Sequence, residues 1–404
     1  MYIANLFAVL RIRNFRLLWA SSFMHVIGEV SELIAQAWLV LLLTDDSALW
    51  LGIAAGLRGL GHIGIGLLGG VFADRLDRRT ILIFTKFIRS LTIVILVPLI
   101  IFEEVQLWHV LLIVLLQGAS EGFFVPSFNG IIYDIVGRKD LMKANGYTLA
   151  SFHTAWIVGS ILAGNFINSI GIELAYILAS VSLFISIFPI YLIRVPRTQN
   201  HSTGSVWSSI LLGFKYVGTN TPLKALLILS VLTETFGFSY IMMLPLIAKS
   251  YLDVGATGLG YLSAAGGIGS LLGTAIVVTI SETKNKWTIL TITTLIAAFS
   301  LFLFGNSSWY ILSLIIAGII GLSLTTYDAS IHTLIQLLSE DKMRGRVLGL
   351  YGMTWGFTPA GGLLLGVIAS ITSAPFAIGL GGVVIFIYTG GVIFRVGKKT
   401  NLPN

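Results

Sequence analysis

The sequence predicts an all-α membrane protein whose twelve transmembrane helices form two similar six-helix bundles. Composition is the first indication, because 56% of the 404 residues are hydrophobic and only 11% are charged, whereas roughly a quarter of the residues in a soluble domain are charged. An internal repeat is the second. A shift of 208 residues places Leu51–Gly52 on Leu259–Gly260 and Arg78 on Lys286. Two related halves, each several helices long, are typical of transporters.

Twelve apolar segments can each cross the hydrocarbon core, which takes about 20 residues of helix. In chain order they cover residues 17–43, 48–73, 80–102, 107–133, 145–170, 172–193, 223–251, 256–281, 287–306, 309–336, 345–371 and 374–395. Residues 1–193 are therefore predicted to form an N-terminal six-helix bundle, and residues 223–404 a C-terminal one. Between them, residues 194–222 are a polar cytoplasmic linker, in which apolar residues repeat at helical spacing from Val206 to Val217. This pattern predicts a short amphipathic helix at the membrane surface.

The distribution of positive charge predicts the orientation. With both termini in the cytoplasm, all but two of the 25 Lys and Arg residues fall on cytoplasmic segments, leaving Lys249 outside and Arg58 within a span. Cytoplasmic loops of membrane proteins carry such an excess. We therefore expect a multi-pass protein of the cytoplasmic (plasma) membrane, surrounded by the lipid bilayer. The net charge of +7 does not indicate nucleic-acid binding, because the basic residues are scattered over separate short loops.

Several classes of function are excluded or disfavoured. The sequence has no cysteine, so disulfides and thiolate metal sites are excluded, and we predict neither a metal nor another cofactor. It has no P-loop, dinucleotide fingerprint or nucleophile motif, which argues against nucleotide-driven pumping and against an enzyme. A non-transporting membrane receptor is disfavoured, because such a protein does not need ionisable residues in several of its spans.

Ionisable residues within the spans are the candidates for a functional site. A charged side chain at the bilayer centre costs at least ~2.5–3.5 kcal/mol, so such residues face the bundle interior or a water-filled cavity. In the first span, the spacing of His25, Glu29 and Glu32 aligns them along one helix face. We predict that the whole set binds protons or lines the substrate cavity, although each member could instead serve a structural hydrogen bond or ion pair. The set comprises His25, Glu29, Glu32, Arg58, His62, Glu121, Glu234, Asp328 and His332.

Arg58 indicates where a coupled proton is held. It is taken here as the only basic residue within a span, so it requires a neutralising acid. The nearest acids in sequence are Glu29 and Glu32, which share a helix face with His25. A buried structural ion pair and a functional site fit Arg58 equally well. We predict that Glu29 and Glu32 carry the coupled proton, with Glu121, Glu234 and Asp328 as the next candidates.

The loop Gly69–Thr80, with the sequence GGVFADRLDRRT, joins spans 2 and 3 and carries a glycine, an acid and then basic residues. Together with twelve spans in two repeated halves, this loop resembles the major facilitator superfamily over essentially the whole chain. The segments NFRLLW, GFFVPSFNGIIYDIV and MRGRVLGLY look like the exporter branch that contains macrolide efflux pumps and the enterobactin exporter. The resemblance implies the two-bundle fold and transport by alternating access around a central cavity.

The resemblance also implies roles for two further sets of residues. It makes Gly70, Asp74, Arg75 and Arg78 a cytoplasmic latch between the bundles, the alternative being a simple positive-inside anchor. It also places spans 2, 8 and 11 at the moving interface between the bundles, where GxxxG pairs let helix backbones approach closely. Those glycines are Gly52, Gly56, Gly269, Gly273, Gly362 and Gly366.

One departure from the superfamily bears on the mechanism. Its drug/proton antiporters often carry an arginine in helix 4 three residues before a Gln-Gly pair, and here Val114 precedes Gln117–Gly118. Any proton coupling must therefore use other carboxylates. We predict a secondary active exporter of an amphipathic small molecule, such as a drug, a macrolide-like compound or a siderophore, which acts as a monomer and exchanges its substrate for protons. The alternative is a solute importer or facilitator on the same fold.

Overall fold

The computed structural model describes the backbone of residues 9–194, 206–280 and 285–399, and the side chains in these ranges except those of residues 65–75, 206–209, 280 and 398–399. All regular secondary structure in this described part is helical. Inside a helix every backbone polar group has a partner in the same segment, which is what a hydrocarbon environment requires.

The described part of the first half forms five α-helices, preceded by a short 3-10 turn at Val9–Arg11. They are α1 (Arg13–Leu43), α2 (Ala48–Arg75), α3 (Arg78–Ile101), α4 (Leu107–Ser169) and α5 (Ile172–Tyr191). The α4 helix has 63 residues and bends at Gly137, whose φ of 66° and ψ of 177° are not helical. At 1.5 Å per residue α4 is about 95 Å long, which is enough to cross a bilayer twice. Its two arms therefore correspond to the predicted spans 107–133 and 145–170.

The second half begins with the linker helix and continues with six longer elements. They are α6 (Val206–Thr219), α7 (Thr221–Tyr251), α8 (Gly255–Ile280), α9 (Lys286–Gly305), α10 (Tyr310–Leu338), α11 (Asp341–Ile371) and α12 (Ala374–Gly397). The short α6 is the helix predicted for the linker. In α7 a π-helical turn at Thr233–Gly237 precedes a 3-10 segment at Phe238–Met243. Such irregular turns frequently occur at functional sites.

Side-chain caps determine where three of these helices begin. The carboxylate of Asp77 accepts from the backbone N–H of Arg79 at 3.3 Å at the start of α3. The side chain of Asn220 does the same for Leu223 at the start of α7, at 3.2 Å. At α12 the hydroxyl of Ser373 accepts from the N–H of the third residue beyond it. Each cap satisfies a donor that the first helical turn leaves unpaired.

The helices account for the predicted number of membrane spans. Ten helices in the described part are long and apolar enough to cross a membrane. One of these is α4, which has the length of two spans, and α2 adds a further helix of 28 residues. The prediction of an all-α membrane protein with twelve spans is therefore confirmed.

The chain forms two compact units. The first comprises Met1–Asp46, Leu57–Ser202 and Val254–Ala264, and the second comprises Ser47–Gly56, Thr203–Asp253 and Ala265–Asn404. The first turns of α2 thus belong to the second unit, and the first turns of α8 belong to the first unit. The domain limits predicted from the sequence stay a prediction.

Each unit has its own apolar core. In the first, helices α1, α3, α4 and α5 bury Phe15, Leu18, Leu82, Ile131 and Ile190. In the second, helices α7, α9, α10 and α11 bury Leu226, Leu290, Tyr327, Leu334 and Val347. Because lipid tails are as apolar as these side chains, close packing holds such helices together. At Gly28 an added Cβ would lie 2.8 Å from the carbonyl oxygen of Ala179, so the missing side chain lets α1 and α5 touch.

Candidate functional site

The first unit carries charged and polar side chains deep within its helices. On α1, His25 and Glu32 are 2% and 0% exposed, whereas the side chain of Glu29 is 23% exposed. Glu29 and Glu32 both contact Arg89 of α3. The ring of His25 stacks on Phe124 of α4, with 4.2 Å between the ring centroids. The shared face of α1 predicted from the 25-29-32 spacing is therefore confirmed.

Two basic residues that the sequence analysis did not count as buried lie within α3. Lys86 and Arg89 are each 1% exposed, and their spacing of three residues places them on one side of the helix. The prediction that Arg58 is the only basic residue within a span is therefore wrong. The signal was present, because both residues fall inside the apolar segment predicted for span 80–102. They were overlooked as buried residues because they were counted among the charges of the cytoplasmic segments.

Arg89 connects α3 to two other helices. Its Nη2 donates to Oε2 of Glu32 at 2.9 Å, and its Nη1 lies 3.4 Å from Oε1 of Glu29. The same Nη1 lies 3.7 Å from Oε1 of Glu121 on α4. A planar guanidinium with five N–H donors can contact several carboxylates in this way. Arg89 therefore fixes the positions of three acids at once.

Arg58 on α2 pairs with Glu121 and not with the acids of α1. Its Nη2 and Nε donate to Oε1 of Glu121 at 2.7 and 3.1 Å. His62, one turn further along α2, has its Nδ1 4.0 Å from Oε2 of the same carboxylate. Glu29 and Glu32, which were expected to neutralise Arg58, contact Arg89 instead. The pairing of Arg58 with Glu121 was not predicted, because the two residues lie 63 positions apart in the sequence.

The cluster formed by His25, Glu29, Glu32, Arg58, His62, Lys86, Arg89 and Glu121 is called here the buried charge cluster. A pair of amides extends it, because Nε2 of Gln36 donates to Oε1 of Gln117 at 2.9 Å. Several of its buried atoms have no hydrogen-bond partner in the described part of the chain, namely Glu32 Oε1, Arg58 Nη1, Arg89 Nε and Gln117 Nε2. Each such atom costs about 1–3 kcal/mol, and unpaired buried groups are a feature of sites that bind or react.

The second unit brings the remaining predicted residues into a separate group. Glu234 lies in the π-helical turn of α7 and accepts a hydrogen bond from the hydroxyl of Thr358 on α11. Asp328 of α10 accepts from the hydroxyl of Tyr351, also on α11. His332 is exposed, and its ring centroid lies 5.8 Å from that of Tyr351. The hydroxyl donors Thr358 and Tyr351 were missed by the sequence analysis, because only charged residues were considered.

The predicted latch is only partly described. Gly70, Asp74 and Arg75 lie outside the residues whose side chains the structure describes. Arg78 pairs with an acid, since its Nη1 lies 2.8 Å from Oδ2 of Asp134. The latch function of these residues stays a prediction.

The glycine pairs form two different helix contacts. In the second unit, a Cβ added to Gly52 of α2 would lie 2.9 Å from the Cα of Gly366 on α11, and one added to Gly362 would lie 2.8 Å from the Cβ of Ala55. Gly56 approaches the side chain of Leu363 in the same region.

The third pair, in span 8, approaches a different helix. A Cβ added to Gly273 of α8 would lie 2.6 Å from the carbonyl oxygen of Leu322, and Gly269 approaches the backbone of Gly318. Both neighbours belong to α10, so Gly269 and Gly273 form a contact inside the second unit. Their small size lets α8 pack closely on α10, and their place at a moving interface stays a prediction.

The apolar helices of the described part supply twelve spans in two units, with ionisable groups buried in both units, and this arrangement is typical of transporters of the major facilitator superfamily. Residues 4–400 match the family described as "Transmembrane secretion effector". The chain belongs to this family of the superfamily, and it is a transporter rather than an enzyme.

Relatives include the proteins named "Enterobactin exporter EntS" of Shigella flexneri and of Escherichia coli O1:K1 / APEC. Each is 23% identical over 349 residues, which cover 83% of this chain and 82% of the relative.

Solved structures confirm the fold. The nucleoside transporter NupG matches with a TM-score of 0.72 at 14% identity, covering 96% of this chain and 100% of that chain. A bacterial homolog of the human lysosomal transporter Spinster matches with a TM-score of 0.73 at 14% identity, covering 96% of this chain and 97% of that chain. At these identities the likeness concerns the fold alone.

Proposed function

We propose that this protein is a secondary active exporter of an amphipathic small molecule, and that protons moving in the opposite direction drive it. The observation that carries this proposal is the position of Glu29 in the buried charge cluster. Its carboxylate lies 3.4 Å from Arg89 and 3.8 Å from His25, with 23% of the side chain exposed. Glu32 and Glu121 are held more closely, at 2.9 and 2.7 Å from an arginine nitrogen.

Protonation of Glu29 changes the balance of charge in the cluster. Glu29 and Glu32 of α1 share Arg89 with Glu121 of α4. A protonated Glu29 attracts the guanidinium less, so Arg89 is then held by the other two acids alone. Binding or release of one proton at Glu29 thereby alters the electrostatic forces between α1, α3 and α4. This is the kind of charge change that biases a two-state transporter.

Export is the direction supported by the relatives. EntS is named for the export of enterobactin, and the family description refers to secretion. We extend this direction to the present chain, with a siderophore, a macrolide-like compound or another amphipathic drug as the substrate. Importers and facilitators with the same fold remain the alternative, and a facilitator would let its substrate equilibrate without a proton gradient.

Two sets of residues outside the cluster are assigned to conformational change in this proposal. Gly70, Asp74, Arg75 and Arg78 act as the cytoplasmic latch, and the Arg78–Asp134 pair at 2.8 Å supports a fixed position for Arg78. Gly52, Gly56, Gly362 and Gly366 act at the contact of α2 with α11, where backbones approach without side chains between them. The transport unit is a monomer.

The test uses purified protein in proteoliposomes and three probes, namely enterobactin, erythromycin and ethidium. Each is presented with and without an imposed pH gradient, and its movement across the membrane is followed with time. We expect at least one probe to move against its concentration gradient only when the pH gradient is present. Equal movement with and without the gradient would show a facilitator, and coupled movement in the direction of the protons would show an importer.

A further inference from the structure

Lys86 is a buried cation that the scheme above does not use. Its Nζ donates to the hydroxyls of Ser21 on α1 and Ser186 on α5, both at 3.0 Å. The nitrogen also lies 5.6 Å from the centroid of the Phe124 ring. No carboxylate oxygen of the described residues lies within 4.0 Å of it. Hydroxyls and a ring face compensate an ammonium less completely than a carboxylate does.

The arginines of the cluster differ from Lys86 in that they do not release their protons. Arg58 and Arg89 each contact a carboxylate within 3 Å. A guanidinium keeps its proton at any pH a protein meets, so both residues are fixed charges. A lysine amine can exist with or without its proton, and lysines in buried sites act as proton acceptors for this reason. Among the lysine and arginine residues of the cluster, Lys86 is therefore the one that can change its charge.

His25 contacts Glu29 and interacts electrostatically with Lys86. Its Nε2 lies 3.8 Å from Oε2 of Glu29, and its ring stacks on Phe124, the ring that Lys86 also contacts. Both ring nitrogens of His25 are buried and have no hydrogen-bond partner among the described residues. An imidazole accepts a proton at one nitrogen and releases one from the other. These free nitrogens are consistent with a relay.

We propose that Lys86 stores the transported proton and that His25 passes it between Lys86 and Glu29. This inference rests on the proposed proton coupling. The O–H proton of a protonated Glu29 moves to Nε2 of His25, while the proton on Nδ1 moves to the lone pair of the Lys86 amine. The products are a carboxylate, a neutral imidazole and an ammonium, and the reverse sequence returns the proton to Glu29.

The charges around Lys86 fit this role. Lys86 interacts electrostatically with His25 and Glu29 of α1 and with Arg89, one turn along α3. Glu121 of α4 contacts Arg89. On α5, the hydroxyl of Ser186 accepts a hydrogen bond from Lys86. With Lys86 protonated, the three cations of the cluster balance the three carboxylates Glu29, Glu32 and Glu121. With the proton transferred to Glu29, two arginines balance two carboxylates, so both end states are neutral.

A spectroscopic test of Lys86 needs no transported substrate. Protein labelled with ¹⁵N at the lysine amines is reconstituted in lipid, and its ¹⁵N NMR spectrum is recorded from mildly acidic to mildly alkaline pH. The Lys86→Arg and Lys143→Arg variants assign the two signals by their loss. We expect the Lys86 signal to move between the ammonium and amine positions, and the signal of the surface residue Lys143 is the reference. A Lys86 signal that remains ammonium at every pH would overturn the proposal.

A transport test separates this inference from the proposed function. Lys86→Arg keeps the positive charge but cannot release a proton, so we expect loss of pH-gradient-driven export with exchange retained in the absence of a gradient. Lys143→Arg is the matched control and should leave both unchanged. If the wild type itself ignores the pH gradient, the proposed proton coupling is refuted. If the wild type is coupled and Lys86→Arg is equally coupled, only the role of Lys86 is refuted.

Discussion

Arg58 and Glu121 form the shortest ion pair of the buried charge cluster, with 2.7 Å between Nη2 and Oε1. The pair joins α2 to α4, while Arg89 joins α3 to α1 through Glu32 at 2.9 Å. Two guanidiniums thus connect the four helices that carry the cluster. Because both pairs are largely removed from bulk water, loss of one partner leaves the other as an incompletely compensated charge.

The first prediction is that removing one partner of the Arg58–Glu121 pair destabilises the protein more than removing both. Arg58→Met alone or Glu121→Leu alone should lower the free energy of unfolding by about 3–5 kcal/mol, because each leaves a buried charge. The double variant removes both charges and should recover most of that loss. Thermal unfolding in detergent measures all three.

The exposed pair Lys143–Asp140, at 3.3 Å, is the control for this cycle. The free energy of unfolding of its single and double neutral variants should lie within about 1 kcal/mol of the wild-type value, as is usual for surface ion pairs. A double variant of Arg58 and Glu121 that is no more stable than either single variant would contradict the interpretation of a charge pair.

The second prediction concerns the latch. Asp74→Asn should shift the population toward the inward-open state and lower turnover while expression stays unchanged. Labelling of single cysteines from each side of the membrane reports the state, and the natural sequence contributes no background because it contains no cysteine. Asp140→Asn, at an acid that pairs with the exposed Lys143, is the control. If the labelled cysteines are equally accessible with Asp74 and with Asp74→Asn, Asp74 has no latch role.

The third prediction concerns the contact of α2 with α11. A Cβ on Gly366 would lie 2.6 Å from the Cα of Gly52, whereas one on Gly390 of α12 would meet no atom within 4 Å. Gly366→Leu should therefore abolish transport with only modest loss of folding, and Gly362→Leu should do the same. Gly390→Leu should transport normally. Wild-type transport by both Gly362→Leu and Gly366→Leu would show that this contact is not needed for the cycle.

The fold and one face of the site were predictable from the sequence because they depend on local patterns. Apolar runs of bilayer length predict spans, and the spacing of His25, Glu29 and Glu32 fixes their common side whatever surrounds α1. The linker helix followed from its periodicity in the same way.

Pairing between helices was not predictable, since it depends on how helices rotate against one another. Nothing local distinguishes Glu121 from Glu29 as the partner of Arg58. Lys86 and Arg89 were missed for another reason, because they were counted with the cytoplasmic charges although they fall inside the apolar segment 80–102. Their contacts with Ser21, Ser186 and Glu32 hold them inside the unit instead.

The central claim is that the acids of α1 couple protons to export, and glutamine substitution at Glu29 and Glu32 tests it most directly. Export driven by a pH gradient is measured in proteoliposomes for Glu29→Gln and Glu32→Gln, with the exposed residue Glu104 changed to glutamine as the matched control. Gradient-driven export should be lost in both α1 variants and kept in the control, while substrate exchange without a gradient persists in all three. If both α1 variants pump at the wild-type rate against a gradient, the coupling site lies elsewhere and the two acids are structural.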